Sequence, residues 1–565
     1  MLFQNLMNFA RNIPSKYILL LIVTLGFLLR VNRLTIGFPM LYVSQDEAIY
    51  HLSALNMIAN GTPFTIGNYG PLGAYVQFPF LVLASAMLFI EGKIHNLRDI
   101  EFLLLTQEGY MLFIPRVISA MFGTLSILAT YWLTRDFFNK KSVALWSALL
   151  AAVSFNLVHV SHMARGWAPA IFFVLVAVNL ALKSVFKKRD ELKNTFGAFV
   201  AAAVAFGFHQ LSGIVIVLVV LVRIFGKQFK KSNIFSKSHL YFFLLWGFLI
   251  FIFNYLSLGK NFLAFINPHS PQNQSIGLIS VPENIGRVSG FLKYLAERGT
   301  FTKLPRDLIL SDGLILVLAA IFFLKNRVRK IYVPFLIFFA FNLILIATIL
   351  PALMRYFLVV FALLPTFAGN TISILANRRS LFIVLPLIMV ISFNAFWWNV
   401  LILKKTTFEE TRDWLAQNIS PNTPIAAIGI RTLGYTPSRD AANVIRTMHP
   451  GYYRVSSSLI GDSYPKNVQN VIYIGQFNRG SELANLEAAL KVYPVKYYVS
   501  TYLNSSQRLI NEKTNLKLRL VAHFSPTGEI IYDKNIPSLL LDVGNALPLT
   551  RVNRAGPYID ILEIN

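Results

Sequence analysis

The chain has 565 residues, 55% of them hydrophobic and 14% charged, with a mean hydropathy of +0.56. Soluble domains carry about 25% charged residues, so this composition excludes an ordinary soluble enzyme. The formal charge of +26 is scattered between apolar segments, which argues against nucleic acid as a partner, and the lack of cysteine excludes disulfides and thiolate metal sites.

The first apolar run, Tyr17–Leu29 with its flanks, ends in Arg30 and Arg33, and no small-residue cleavage site follows. It therefore reads as a retained span and not as a signal peptide. About 20 helical residues at ~1.5 Å each cross a ~30 Å hydrocarbon layer. On that measure spans fall at roughly 17–36, 114–134, 143–160, 168–186, 196–209, 212–226, 239–257, 308–324, 331–350, 356–374 and 380–402, about eleven in all. The 48 Phe suit lipid-facing and helix-packing surfaces. Pro71–Ile90 is long enough to be one more span. Pro79 in its middle, Gln77 and Gly73 favour instead an interfacial or re-entrant helix on the outer face.

With that segment left out, every basic cluster falls on the cytoplasmic side, as the positive-inside bias requires. The clusters are Arg11/Lys16, Arg135/Lys140/Lys141, Lys183/Lys187/Lys188/Arg189, Lys227/Lys230/Lys231, Lys325/Arg327/Arg329/Lys330 and Arg378/Arg379. Residues 37–113 and about 258–307 become outer loops. The chain beyond Lys404 is outside, which predicts a multi-pass protein of the plasma (inner) membrane. Near Lys404 the character changes. Phe408–Asn418 predicts an amphipathic helix stopped by Ser420-Pro421-Asn422. Short β-like runs follow at Ile425–Ile430, Val471–Ile474, Lys496–Ser500 and Arg519–Phe524, separated by turn residues. The expected architecture is an all-α polytopic membrane domain over 1–403 and an extracytoplasmic soluble α/β domain over 404–565.

Two adjacent carboxylates, Asp46 and Glu47, open a helical pattern on the outer face just after the first span. Neighbours on a helix point about 100° apart, so the two need not share a job. One reading is helix-start capping, because acids favour the N-terminal dipole. The other is a base that takes a proton from an acceptor hydroxyl or amine at the membrane surface. Arg116, Arg165 and Arg355 lie at predicted outer ends of spans, where the positive-inside bias does not explain them. They either snorkel to headgroups or pair with outer-loop acids, or clamp a lipid phosphate with their fork of donors. His159 and His162 share one helix face. They are ordinary packing histidines or, with Asp46 or Glu47, ligands of a divalent metal. His209 and Gln210 lie at another outer turn, and Trp397-Trp398 reads as an interface belt.

Taken in order, these features resemble the GT-C fold glycosyltransferases, nearest the branch of protein O-mannosyltransferases and lipid A aminoarabinose transferases. The Asp46-Glu47 pair opens the outer-face helix. Gly70-Pro71-Leu72-Gly73-Ala74-Tyr75 resembles the family's proline-containing start of a second outer helix. Pro115-Arg116-Val117-Ile118-Ser119-Ala120 resembles its Arg-Xaa-Xaa-Ser-Ala span start, and Ser161-His162-Met163-Ala164-Arg165 its outer turn. Met354-Arg355-Tyr356 with Leu364-Pro365 resembles its late Arg-Tyr span. Thr411-Arg412-Asp413-Trp414-Leu415 and Gly556-Pro557-Tyr558-Ile559 look like the outer domain of its bacterial and archaeal members. Two departures stand out. Gly166-Trp167-Ala168 replaces an acid that many relatives carry after the turn. Tyr69-Gly70 stands where aminoarabinose transferases have Glu-Lys, which argues against the same substrate pair.

The resemblance implies a membrane glycosyltransferase (a hexosyl- or pentosyltransferase) that moves a sugar from a polyprenyl-phosphate donor to a protein, lipid or glycan acceptor, with inversion. Asp46 is the implied base, and Glu47 orients a neighbour or caps the helix. Arg116, Arg165 and Arg355 are the implied phosphate ligands, and Asn68, Tyr69, His162 and Tyr356 are candidates for the sugar pocket. The resemblance assigns no definite cofactor, and a divalent metal on His159 and His162 stays open. Two rival classes are a polytopic lipid flippase or transporter and a non-catalytic membrane scaffold. Transporters need broken or polar midplane helices, often in two related halves; no such halves are visible here.

Overall fold

The computed structural model describes residues 14–565 apart from 39–46, 48–49, 51–52, 55–56, 59–69, 97–98, 100–111, 187–189, 227–236, 259–302, 326–329, 350–356, 378–380, 428–432, 434, 436, 449–467, 475–481, 510–515, 535 and 537–548. The chain forms two compact units. One comprises Met1–Asn32, Leu52–Gln77 and Arg116–Phe396, the other Arg33–His51, Phe78–Pro115 and Trp397–Asn565.

The first unit is helical, and the apolar helices that begin at Leu72, Phe113 and Leu381 each run across a boundary between the two units. In chain order the apolar helices are α1 (Ser15–Val31), α2 (Leu72–Ile90), α3 (Phe113–Phe138), α4 (Lys141–Val153), α5 (Phe155–Ser161), α6 (Trp167–Phe186), α7 (Glu191–Phe208), α8 (Val215–Gly226), α9 (Lys237–Leu258), α10 (Lys303–Lys325), α11 (Val333–Ile349), α12 (Leu358–Asn377) and α13 (Leu381–Leu403). Each expected span coincides with a helix. The span expected at 143–160 is two helices, α4 and α5, bent by 56° at Ser154. Among the described residues, five helices are long and apolar enough to cross a membrane, or up to six if the bent pair is one span. The expected tally of about eleven is therefore not reached on that measure. One of the five is α2, unbroken through Pro79, with Phe80, Leu83, Met87, Phe89 and Ile90 exposed. Its length and apolarity are those of a crossing helix, where an interfacial or re-entrant one was expected.

Small residues let the helices approach, since only a missing side chain allows backbones to close up. A Cβ on Gly369 of α12 would come within 2.6 Å of the Ser147 backbone nitrogen of α4. Ser147 Oγ donates to Thr366 O at 3.4 Å across the same crossing. A Cβ on Gly70 would come within 2.2 Å of the Gly207 carbonyl, which ties the chain two residues before α2 to the end of α7. Where side chains are large they are aromatic. Phe137 meets Phe335 at 5.5 Å and Phe367 at 6.0 Å, and Phe322 meets Tyr332 at 5.1 Å, so part of the phenylalanine excess is helix-packing material. Lys183, one of the basic-cluster residues, pairs with Asp136 at 3.2 Å.

The second unit contains the C-terminal α/β portion. After α14 (Thr407–Asn418) come β1 (Ile425–Ala427), α15 (Arg439–Met448), β2 (Val471–Tyr473), α16 (Glu482–Leu490), β3 (Tyr497–Tyr502), β4 (Leu518–Phe524) and β5 (Tyr558–Ile564). The sheet order is β2-β1-β3-β5-β4, parallel up to β3 and antiparallel beyond it. Strand residues alternate between faces. Ala426, Ile472, Tyr498 and Leu562 pack with Ala441 of α15 and with Leu486 and Ala489 of α16. Ile425, Val471, Val499 and Ile561 pack with Leu415 of α14 on the opposite face. A capping box starts α14: Glu409 N donates to Thr406 Oγ1 at 3.1 Å, and Thr406 N donates to Glu409 Oε2 at 2.7 Å. Two motifs separated by well over a hundred residues meet here. Gly556, at φ +118°, presses on Thr407, whose hydroxyl donates to Pro557 O at 2.8 Å. A side chain at 556 would be strained at that φ and would strike Thr407.

Candidate functional site around the broken helix

Serine 154 ends one helix and starts the next. Its backbone is extended (φ −60°, ψ 122°), so α4 stops at Val153 and α5 begins at Phe155. The stop leaves carbonyls at the end of α4 and amides at the start of α5 without intrahelical partners. Arg30 of α1 supplies donors to the first set: Nη1 to Ala152 O at 3.0 Å and Nη2 to Ala151 O at 2.9 Å. Asp312 of α10 supplies acceptors to the second set: Phe155 N donates at 2.9 Å, Asn156 N at 3.1 Å and Ser154 Oγ at 2.7 Å. Both charged side chains are buried, and α10 leaves helical geometry at Asp312 (φ −122°, ψ 29°).

The short α5 leads into the turn that carries the candidate residues. Ser161 Oγ donates to Leu157 O at 2.6 Å. A Cβ on Gly123 of α3 would strike the Ser161 side chain, so α3 lies directly against this end of α5. The ring of His162 sits between two carbonyls, with Nδ1 3.0 Å from Val158 O and Nε2 3.2 Å from Asn32 O. Burial is the largest influence on His162, and the positive charges of Arg30 and Arg116 act in the same sense. Together they outweigh the two carbonyls and push its pKa down to about 4. A neutral ring carries one N–H, so it donates to one of these two carbonyls. His159 is buried with its ring 5.6 Å from that of Phe155. Among the described residues, no three His, Asp or Glu side chains gather as metal ligands.

Arg165 is buried at the end of the turn, its guanidinium 4.2 Å from the centre of the Trp167 ring. Its carbonyl accepts from Ser119 Oγ at 3.2 Å. Arg116, also buried, lies one helical turn before Ser119 and is close enough to act on His162. The structure therefore brings Arg116, His162 and Arg165 to one buried place in the first unit. Glu47 belongs to the second unit. It is helical and buried, as is Tyr50 of the same unit. Asp46, Asn68, Tyr69, Arg355 and Tyr356 lie outside the described residues.

Sequence reasoning missed Arg30 and Asp312 as site-shaping groups. Arg30 was masked by its place at the end of a span, where cations are common. Asp312 did give a signal, because an acid inside an apolar span needs a specific reason to be there.

The Archaeoglobus fulgidus oligosaccharyltransferase, solved with Zn and sulfate, aligns with 86% of this chain and 68% of its own at a TM-score of 0.50 and 13% identity. At that identity the likeness is one of fold. Residues 104–256 match the family model described as dolichyl-phosphate-mannose-protein mannosyltransferase. That interval contains Arg116, the helix break and the Ser161–Arg165 turn. Over that interval the chain is similar to this family. The structure of ArnT from Cupriavidus metallidurans bound to undecaprenyl phosphate also aligns with this chain, at a TM-score of 0.45 and 13% identity, over 86% of this chain and 95% of that one. The sequence matches none of the curated proteins with which it was compared. With its long apolar helices, the chain has the character of a multi-pass membrane protein.

Proposed function

We propose that this protein is a glycosyltransferase of the GT-C type that moves a sugar from a polyprenyl-phosphate donor to an acceptor on the outer face of the plasma (inner) membrane, inverting the anomeric carbon. The observation that carries the reading is the burial of Arg116 and Arg165, with Ser119, one turn after Arg116, donating to the Arg165 carbonyl, inside the segment that matches the mannosyltransferase family. A lipid-linked donor is confined to the bilayer, so its phosphate has to be met at the end of the spans. Fixed guanidinium forks suit that phosphate and gain strength where water is excluded.

In the proposed reaction Asp46 takes the proton of an acceptor hydroxyl or amine as that atom attacks the anomeric carbon. The bond to the phosphate oxygen breaks through an oxocarbenium-like state. The polyprenyl phosphate leaves with the bonding electron pair, and Arg116, Arg165 and Arg355 stabilise its charge. Glu47 orients a neighbour or caps its helix. Asn68, Tyr69, His162 and Tyr356 line the sugar side. Residues 404–565 form the extracytoplasmic domain, and the acceptor is a protein, lipid or glycan. A divalent metal would have to draw on Asp46 or Glu47, since the ring nitrogens of His162 already face carbonyls.

A broken span is also a transporter feature. Here both exposed helix ends are taken up by Arg30 and Asp312 of the same protein rather than left for a passing solute. The test is purified protein with a panel of polyprenyl-phosphate sugars. Transfer or hydrolysis of one donor is expected. Asp46→Asn should lower transfer by roughly 10²–10⁴-fold while donor binding persists. Failure of every donor to bind would leave the scaffold reading.

A further inference from the structure

Two buried charges hold the two ends of the broken helix, and neither belongs to the phosphate-binding candidates. At the end of α4, where carbonyls point outward and the helix dipole is negative, stands the Arg30 guanidinium. It donates to Ala151 O and Ala152 O, and also to Gly26 O of its own helix at 2.9 Å. At the start of α5, where amides point outward and the dipole is positive, stands the Asp312 carboxylate, taking three donors. Each sign matches the helix end it faces. Leu157 N completes the cap by donating to Ser154 Oγ at 3.4 Å.

The surroundings are built to admit these groups. A Cβ on Gly26 would come within 3.2 Å of Arg30 Nη1, and one on Gly123 within 3.1 Å of Arg30 Nε. Three helices therefore close around one guanidinium. Beyond the break α5 has 7 residues before the Ser161–Arg165 turn. With the observed 56° bend, a straight continuation of α4 would carry the far end of α5 about 9 Å away at ~1.5 Å per residue. The angle at the break thus decides where His162 and Arg165 lie.

We propose that Arg30 and Asp312 are positioning residues that lock this angle and so deliver the Ser161–Arg165 turn to the donor phosphate. Naming the phosphate rests on the function proposed above; the clamp itself does not. Because the chain has no cysteine, a single introduced thiol reports on the turn. In the full chain in lipid nanodiscs, Met163→Cys and, as a distant control in α6, Val174→Cys both start from buried positions, 6% and 0% exposed.

Adding Asp312→Ala should raise maleimide labelling at 163 at least about tenfold, because buried charged hydrogen bonds are lost. Position 174 should stay protected. Binding of undecaprenyl phosphate should weaken by about tenfold in the same variant. Asp312→Asn, which keeps an oxygen acceptor, should fall between the two. If Asp312→Ala does not fold, Ser154→Ala and Arg30→Lys are read in the same way. Unchanged labelling at 163, or labelling at 163 and 174 rising together, overturns the proposal. A parent protein that binds no polyprenyl phosphate, yet shows the labelling change, overturns the donor assignment and leaves the clamp standing.

Discussion

Asp560 carries a carboxylate in β5, almost fully buried, that accepts from His523 Nδ1 at 2.6 Å, Arg508 Nε at 2.7 Å and Tyr502 OH at 3.3 Å. Burial pushes its pKa up, but the bonds from His523 and Arg508 outweigh that and hold it below the ordinary value of 3.8. A carboxyl depressed in the folded state adds stability above its unfolded pKa and loses it as pH falls through the folded one. The C-terminal portion should therefore lose stability as pH drops below 3.8. Asp560→Asn should cost about 3 kcal/mol near neutral pH and flatten that acid-side loss, measured by thermal melts across pH. At the membrane, Arg116→Lys keeps the charge and loses the fork. It should weaken undecaprenyl phosphate binding by about tenfold, which binding assays on the two proteins would read. The sequence singled out Arg116 and Arg165 because they broke the charge rule, and both prove buried. Asp560 gave no such sign, for its partners come from strands and turns that only the fold brings together.

Among the elements, legibility followed periodicity and caps. The helix after Lys404 was expected from residue 408 and begins at Thr407, set by the Thr406/Glu409 capping box. Thr406→Ala should destabilise the C-terminal portion by about 1 kcal/mol, visible as a lowered melting temperature. Four strands were readable from their β-branched and aromatic runs. The fifth, Tyr558–Ile564, was not, although it lies between β3 and β4. Its first five residues are buried, so polar alternation is missing, and Asp560 interrupts the apolar run. The break at Ser154 was equally hidden. No glycine or proline marks it, and the groups that stabilise it, Arg30 and Asp312, are more than a hundred positions away.

For the whole molecule, helix positions were legible and crossings less so, because α2 satisfies the length rule while its interior Pro79 reads as a breaker. The cysteine-free chain permits a direct test of orientation. Lys140→Cys, between α3 and α4, and Glu529→Cys, in the C-terminal portion, are both exposed and should label with impermeant reagent from opposite sides of the membrane. Labelling of both from the same side would overturn the proposed topology. Close helix crossings should be intolerant of bulk. Gly369→Ile drives a branched side chain into the backbone of α4 and should cost more than about 3 kcal/mol, or abolish folded yield, as judged by size-exclusion profiles.

Arg33, just past the first helix, donates to Ile402 O at 2.6 Å and to Glu409 at 2.9 Å, residues made hundreds of positions later. Its carboxylate partner lies 376 positions downstream. At a ribosomal pace of about 5–20 residues per second, that guanidinium waits roughly 20–75 s for its counter-ion. The Arg33 ion pair thus forms only once nearly three quarters of the polypeptide has been made. Premature termination before position 409 leaves that guanidinium without its carboxylate partner.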